Sequence, residues 1–113
     1  MKRTILSVLL AFPLAAIGHH GWSEYDSTKT LKLTGKVVAS GYEHPHGHIR
    51  LEAPGSSRRV VLAPPSRMER RGLAKGMLKP GAIVTVEGYA NREKPGEMRA
   101  ERIIVDGKTI ELR

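Results

Sequence analysis

Residues 58–89, RRVVLAPPSRMERRGLAKGMLKPGAIVTVEGY, decide the fold. Residues 58–63 and 83–89 alternate apolar and polar side chains, which is typical of half-buried β-strands. Between them, Ser66 and Glu69 stand three residues apart, the spacing of a capping box, and this predicts a short helix capped by Ser66. Two glycines and a Lys-Pro-Gly turn end the helical region early. The middle of the chain is therefore predicted to be a strand, a short helix and a second strand.

The rest of the sequence adds strands on both sides of this stretch. Gly35 marks a change of phase in the first of them and predicts a β-bulge. The pair Asp106-Gly107 predicts a tight hairpin near the C-terminus. The predicted strands span residues 31–40, 48–53, 58–63, 83–89, 98–105 and 108–112.

Three strands, a helix and two or three further strands are the element order of an OB-type barrel. We therefore predict an all-β fold, a small OB-like barrel of five or six strands with one short helix between strands 3 and 4. An open sandwich is the alternative. The barrel domain is expected to span residues 31–113, and residues 19–30 form an N-terminal arm whose polar part, 23–30, is a candidate linker.

The first 18 residues have the layout of a secretory signal peptide. Lys2 and Arg3 precede an apolar run of thirteen residues, 5–17. A membrane-spanning helix needs about 20 apolar residues, so the run predicts a cleaved signal and no stable membrane anchor afterwards. Cleavage after Gly18 fits the small-residue rule best. The mature protein is expected to begin at His19 and to reside in the periplasm.

Charge and composition narrow the classes of function. Without Lys2 and Arg3 the chain keeps 17 basic and 11 acidic side chains, a net charge of +6, which attracts anionic partners. One tryptophan and three tyrosines remain outside the signal, too few for a barrel that stacks bases, and export also argues against nucleic acid. The sequence has no cysteine, no Gly-x-Ser-x-Gly motif and no phosphate-binding glycine loop, so nucleophilic catalysis is not expected.

All five histidines lie in two short groups, which makes them candidates for a metal site. Neutral imidazole is the commonest metal ligand, and short His-rich tracts bind metals. Pro45 favours an extended conformation before it, and residues two apart in an extended chain point to the same side, so the second group can converge. The alternative is a solvated loop without function. The groups are His19 and His20, and His44, His46 and His48.

Cleavage before His19 would give this residue a free α-amine with a pKa of about 8, whose proton a metal can displace at neutral pH. The amine and ring then chelate together. With a further imidazole they form a three-nitrogen site called a histidine brace, which suits Cu(II). His20 offers a competing planar site through the amine, the amide and its own ring. The favoured hypothesis is a periplasmic copper-binding protein that uses His19 and other histidines.

Methionine sulfur and the Trp22 ring each have two interpretations. The three methionines can bind Cu(I), but they alternate with aliphatic residues and are expected to fill the core. Trp22 lies near His19 and can cover a metal or a ligand, although packing of the arm onto the barrel is the simpler use. The methionines outside the signal peptide are Met68, Met77 and Met98.

Two other functions stay open. A basic face of the barrel can bind an anionic ligand, which predicts a strong dependence on salt and none on chelators. The second of these functions is a copper oxidase or oxygenase built on the histidine brace, but no substrate cleft is recognisable in the sequence. The basic face would consist of Arg58, Arg59, Arg67, Arg70 and Arg71.

Several motifs together resemble a family of small exported bacterial proteins described as a domain of unknown function. They are His-His-Gly-Trp-Ser from His19, Pro-His-Gly around His46, Leu-Ala-Pro-Pro-Ser-Arg-Met from Leu62 and Met-Arg-Ala-Glu-Arg-Ile from Met98. The resemblance covers nearly all of the mature chain and implies a periplasmic β-barrel domain without an established activity. It marks His19, His20 and His46 as motif histidines, whereas the other two are extras in this sequence.

Overall fold

The structure is a computed structural model and describes residues 21–113; the predicted signal peptide, His19 and His20 lie outside this range. Six strands and one α-helix follow each other in the predicted order. Two 3-10 helices occupy Trp22–Glu24 and Lys75–Leu78. The main elements are β1 (Leu31–Gly41), β2 (His48–Ala53), β3 (Ser56–Val61), α1 (Pro65–Arg70), β4 (Ile83–Ala90), β5 (Glu97–Val105) and β6 (Lys108–Glu111).

The strands form one sheet in the order β3-β2-β1-β4-β5-β6, and a further parallel pairing of β3 with β5 closes five of them into a barrel. This pairing sets Arg59 opposite Glu97 and Val61 opposite Arg99. β6 is an extra strand that pairs only with the second half of β5. The predicted all-β, OB-like barrel with one short helix between strands 3 and 4 is confirmed, and the open sandwich is wrong because the sheet closes.

The barrel interior is an apolar core to which α1 also contributes a side chain. Met68 of α1 and Met98 of β5 are fully buried in this core, and Met77 packs against it. The predicted packing role of the methionines is therefore confirmed, as expected for flexible side chains that fill irregular spaces. No helix in the described part of the chain is long and apolar enough to span a bilayer.

Two local predictions are wrong. The helix begins at Pro65 with Pro64 as its N-cap, and no side chain caps it, so Ser66 lies inside the first turn and forms no capping box. Proline suits this position because its fixed φ is already helical and the first turn needs no N–H partner. The bulge expected at Gly35 lies instead at Val38, which has no partner in β2.

A second bulge, between β4 and β5, shapes the surface that carries the candidate site. Glu87 pairs with Arg102 and Gly88 pairs with Ala100, so Glu101 is an extra residue in β5. A Cβ atom on Gly88 would lie 1.9 Å from the Arg99 carbonyl oxygen. Only glycine therefore permits this close approach of the two backbones.

The bulge reverses which side chains of β5 face the core. Met98 and Ala100 are buried before it, and Ile103 and Val105 are buried after it. Side chains alternate between the two faces of a strand, so Arg99 projects from the outer face of the barrel. It is nevertheless only 6% exposed, because another part of the chain covers it.

Candidate functional site

A cleft of about 200 Å³ lies at the β3–β5 junction, between the β1–β2 loop (residues 42–47) and the β4–β5 loop (residues 91–96). We call it the His46 cleft. The corresponding loops frame the ligand sites of many OB folds. Two residues of the N-terminal arm, Glu24 and Tyr25, also line it. Its other charged or imidazole side chains are His46, His48, Arg59, Lys94, Glu97 and Arg99.

Arg99 is the buried cation of this cleft. Its Nη2 atom lies 3.3 Å from His46 Nε2, and its guanidinium carbon lies 4.3 Å from the centroid of the Trp22 ring. Burial lowers the pKa of Arg99, with Arg67 and Arg113 acting in the same direction and Tyr25 and Glu24 in the opposite one. An arginine stays protonated even so, and the cleft therefore contains a desolvated positive charge.

The contact with Arg99 indicates which nitrogen of the His46 ring carries the proton. A guanidinium only donates hydrogen bonds, so His46 Nε2 accepts in this contact. The proton of the neutral imidazole then resides on Nδ1. Nε2 carries the lone pair that a metal or a proton would use, and Arg99 competes for it.

Another part of the cleft lining is a hydrogen-bond network around Glu97. The Tyr25 hydroxyl donates to Glu97 Oε2 at 2.9 Å, and Asn91 Nδ2 donates to the same oxygen at 3.0 Å. Arg59 forms an ion pair with the carboxylate at 3.7 Å. Burial, followed by the hydrogen bond to Glu97, raises the pKa of Tyr25 to about 12. The charge of Glu97 is thus already compensated by its neighbours.

The N-terminal arm packs on the barrel beside this network. The backbone N–H of Asp26 donates to the Ala90 carbonyl at 2.8 Å, and that of Arg92 donates to the Glu24 carbonyl at 2.9 Å. Residues 23–26 are therefore part of the folded surface. Of the linker expected over 23–30, at most residues 27–30 can serve as one.

Trp22 has the packing role that its simpler interpretation predicted. Its ring meets the Tyr89 ring edge-on at a centroid distance of 6.2 Å. The guanidinium carbon of Arg113, at the C-terminus, lies 4.6 Å from the ring centroid, in addition to the contact with Arg99. The single tryptophan thus joins the arm, β4, β5 and the C-terminus.

The three histidines of the second group are not all gathered in one place, since His46 and His48 line the cleft whereas His44 does not. The chain bends at His44 and Pro45, and β2 starts only at His48, so the strand-like alternation expected from His44 onward is absent. His44 is exposed, whereas the His48 ring lies over Gly41, where a Cβ would come within 2.3 Å of it. Among residues 21–113, no three His, Asp or Glu side chains are grouped as metal ligands.

The predicted basic face is divided among separate places. Arg59 lines the His46 cleft, while Arg58, its neighbour on β3, projects from the other face of the strand. Arg67 and Arg71 donate to backbone carbonyls of the C-terminal segment, at 3.1 Å from Leu112 O and 2.7 Å from Glu111 O respectively. Exposed Arg70 bonds to the Ser66 carbonyl within its own helix. These five arginines do not form one surface.

Comparison with known proteins assigns the chain to a family. A family model described as "Family of unknown function (DUF6152)" matches residues 8–99, a range that contains His46 and ends at Arg99. The chain belongs to this family. No protein of curated function matches it.

Two solved structures share the fold. One is TiaS in complex with a tRNA and ATP, and the other is a TiaS mutant without its ZRD in complex with agmatine. Both are 19% identical to this chain with a TM-score of 0.54, and they cover 79% and 78% of it. This chain spans only 20% and 25% of theirs, so the likeness concerns one barrel.

Sequence reasoning missed Arg99 as a site residue, although it occurs in one of the family motifs. A signal exists in β5, where Arg99 stands between two apolar residues and the apolar positions then change from even to odd numbers. Such a change predicts a bulge. No local pattern in the sequence predicts that the N-terminal arm covers Arg99, because the contact joins residues from opposite ends of the chain.

Proposed function

We propose that the mature protein binds a copper ion in the periplasm, through the α-amine and ring of His19 together with His46. His20 is the competing ligand beside them. One observation carries the proposal: the arm that follows these residues packs next to His46, since Trp22 contacts Arg99 and Arg99 contacts His46.

The length of chain between Trp22 and the proposed ligands is short. His19 precedes Trp22 by three positions in the sequence, and each step along the chain spans at most about 3.6 Å. The amine and ring of His19 therefore have to lie within roughly 11 Å of the Trp22 backbone, plus the reach of a side chain. Because Glu24 and Tyr25 of the same arm line the His46 cleft, this short reach supports a site shared by the arm and the β1–β2 loop.

The chemistry of these donors fits Cu(II). An amine and two imidazoles supply three neutral nitrogens, which suit a planar copper site better than the oxygen-rich sites of Mg²⁺ or Ca²⁺. Copper at His46 Nε2 would displace the N–H of Arg99, and binding at Nδ1 would require loss of the proton there. His44 and His48 are weaker candidates, because one is exposed on the bend and the other packs over Gly41.

The proposal is tested by titrating the exported, processed protein with Cu(II) in the presence of a competing chelator. N-terminal sequencing first establishes whether the protein starts at His19. We expect one tightly bound copper per chain and electron paramagnetic resonance spectra with nitrogen hyperfine structure. His46→Ala should weaken binding by at least about tenfold, whereas the matched variant His44→Ala, in the same loop, should leave it unchanged.

A second control isolates the amine. A single glycine added before His19 keeps every side chain but moves the α-amine away from the His19 ring, so the chelate is lost. Copper affinity should fall about as far as in a His19→Ala variant. Binding that is absent in the processed protein, or that is indifferent to both His46→Ala and the added glycine, would overturn the proposal.

A further inference from the structure

We propose that the His46 cleft is also a binding site for a small carboxylate or oxyanion, held against the guanidinium of Arg99. This site is distinct from the basic face expected from the sequence, and it does not depend on the copper proposal. The anion would enter between the two loops and meet Arg99 at the base of the cleft, with Lys94 and Arg59 at its rim.

The charges that line the cleft favour an anion. Three cations, Arg59, Lys94 and Arg99, face two carboxylates, Glu24 and Glu97. Arg59 pairs with Glu97 in the wall, so these two charges largely offset each other. Lys94 and Arg99 then face the single carboxylate of Glu24. The remaining field of the cleft is positive.

Arg99 is the strongest element of this field. It is only 6% exposed, and its contacts include the His46 ring and the face of Trp22. Burial lowers the pKa of Arg99, with Arg67 and Arg113 acting in the same direction and Tyr25 and Glu24 in the opposite one. A desolvated charge gains more from an anion than an exposed lysine does, because the effective dielectric constant is lower.

The shape of the site limits the ligand to a small one. A volume of about 200 Å³ corresponds to roughly seven water molecules at about 30 Å³ each. It is smaller than the pockets of about 300–1,000 Å³ that hold drug-sized ligands. The planar guanidinium of Arg99 matches the paired oxygens of a carboxylate or phosphate. We therefore expect a small mono- or dicarboxylate, or a free oxyanion, rather than a polymer.

The fluorescence of Trp22 can report this binding. Trp22 is the only tryptophan, and its ring centroid lies 4.3 Å from the guanidinium carbon of Arg99, so its fluorescence should respond when an anion binds to Arg99. The processed protein, kept metal-free with a chelator, is titrated with acetate, oxalate and inorganic phosphate at constant ionic strength. Fluorescence and titration calorimetry should both show saturable binding of at least one probe, and comparison of the three identifies the preferred oxyanion chemistry.

Variants tie the binding to the cleft. Arg99→Lys keeps the charge but loses the paired donors and should weaken binding at least about tenfold. The double variant Arg59→Gln with Lys94→Gln changes only exposed rim residues and should weaken it about fivefold even if Arg99→Lys does not fold. Lys32→Gln with Lys108→Gln removes the same charge outside the cleft and should change affinity less than twofold.

The inference is overturned if no probe binds more tightly than about 10 mM, or if the rim and control double variants lose affinity equally, since that pattern is a general effect of net charge. Failure here is distinguishable from failure of the copper proposal. Anion binding is measured without metal and does not need the α-amine, whereas copper binding is measured without the probe anions and requires it.

Discussion

His46 of the β1–β2 loop and Arg99 of β5 are 53 residues apart in the sequence, yet His46 Nε2 lies 3.3 Å from Arg99 Nη2. The imidazole lone pair and a buried positive charge thus share one cleft. Any cation that binds His46 must overcome the charge of Arg99, and any anion that binds Arg99 lies beside the imidazole. The two proposed ligands should therefore support each other's binding, and such coupling is reciprocal.

Removal of the Arg99 charge should strengthen copper binding. Two unit charges 4 Å apart repel by about 4 kcal/mol at an effective dielectric constant of 20, so Arg99→Gln is expected to raise the Cu(II) affinity by about tenfold or more in a buffer without coordinating anions. Chelator competition measures the change. Arg59→Gln is the control and should have a smaller effect, because Arg59 is exposed and paired with Glu97. An unchanged or weaker affinity in Arg99→Gln would contradict repulsion at a shared site.

Loss of the Trp22 ring should release the arm and destabilise the barrel. Trp22→Ala removes the contacts with Tyr89, Arg99 and Arg113, and we expect the free energy of unfolding to fall by about 1–3 kcal/mol. Urea denaturation followed by circular dichroism measures this. Ile83→Ala truncates a side chain that is 62% exposed and should change stability by less than about 0.5 kcal/mol. If the two variants changed the free energy of unfolding equally, the contacts of the arm would contribute nothing to the stability of the barrel.

Gly88→Ala should be among the most damaging single substitutions. The new Cβ would lie 1.9 Å from the Arg99 carbonyl oxygen, and neither backbone can move without opening the β4–β5 ladder. We expect a loss of about 3 kcal/mol or more, or failure to fold. Gly76→Ala meets no atom within 4 Å and should be neutral or slightly stabilising, by up to about 1 kcal/mol. Thermal unfolding of both variants tests this prediction. A Gly88→Ala protein as stable as the unsubstituted one would contradict the close approach of the two backbones at the bulge.

The network around Glu97 should make stability fall in alkali. The pKa of Tyr25 rises from 10.0 to about 12 on folding, so below pH 10 both states hold the neutral phenol and the full stabilisation is present. Between pH 10 and 12 the unfolded chain ionises first, and the free energy of unfolding falls by up to about 2.7 kcal/mol.

Denaturation at several pH values and the absorbance of tyrosinate measure this effect. Tyr25→Phe should be less stable near neutrality, because its hydrogen bond to Glu97 is lost, but it should lack this part of the alkaline decline. If all three tyrosines of the folded protein ionised together near pH 10, the buried hydrogen bond to Glu97 would be ruled out.

The order of strands and helix along the chain could be predicted from the sequence because it depends on local patterns, and that order indicated an OB-type barrel. Alternation of apolar side chains, the Pro-Gly and Asp-Gly turns and the short helical segment each act over a few residues. The helix start was misplaced for the same local reason. Ser66 and Glu69 have the spacing of a capping box, but Pro65 precedes them and already suits the first helical position.

The candidate site could be predicted only in part. His46 was identified from the clustering of histidines, and the structure places it in the charged cleft at the β3–β5 junction. The sequence did not identify its partner Arg99, because an arginine in a strand is ordinarily a solvated residue. Of the three histidines expected to converge, His46 and His48 line the cleft, whereas exposed His44 lies on the bend before β2.

The amino-acid sequence by itself determined the all-β class, the order of the elements and the histidine groups, since each follows from residues that are neighbours along the chain. Only the tertiary structure decided that Arg99 is buried, that Trp22 covers it and that His46 is its neighbour. Barrel closure through the parallel β3–β5 pairing and the bulge at Gly88 bring these residues together. The physical reason is that burial and electrostatic contact depend on distance in space, which a linear pattern does not encode.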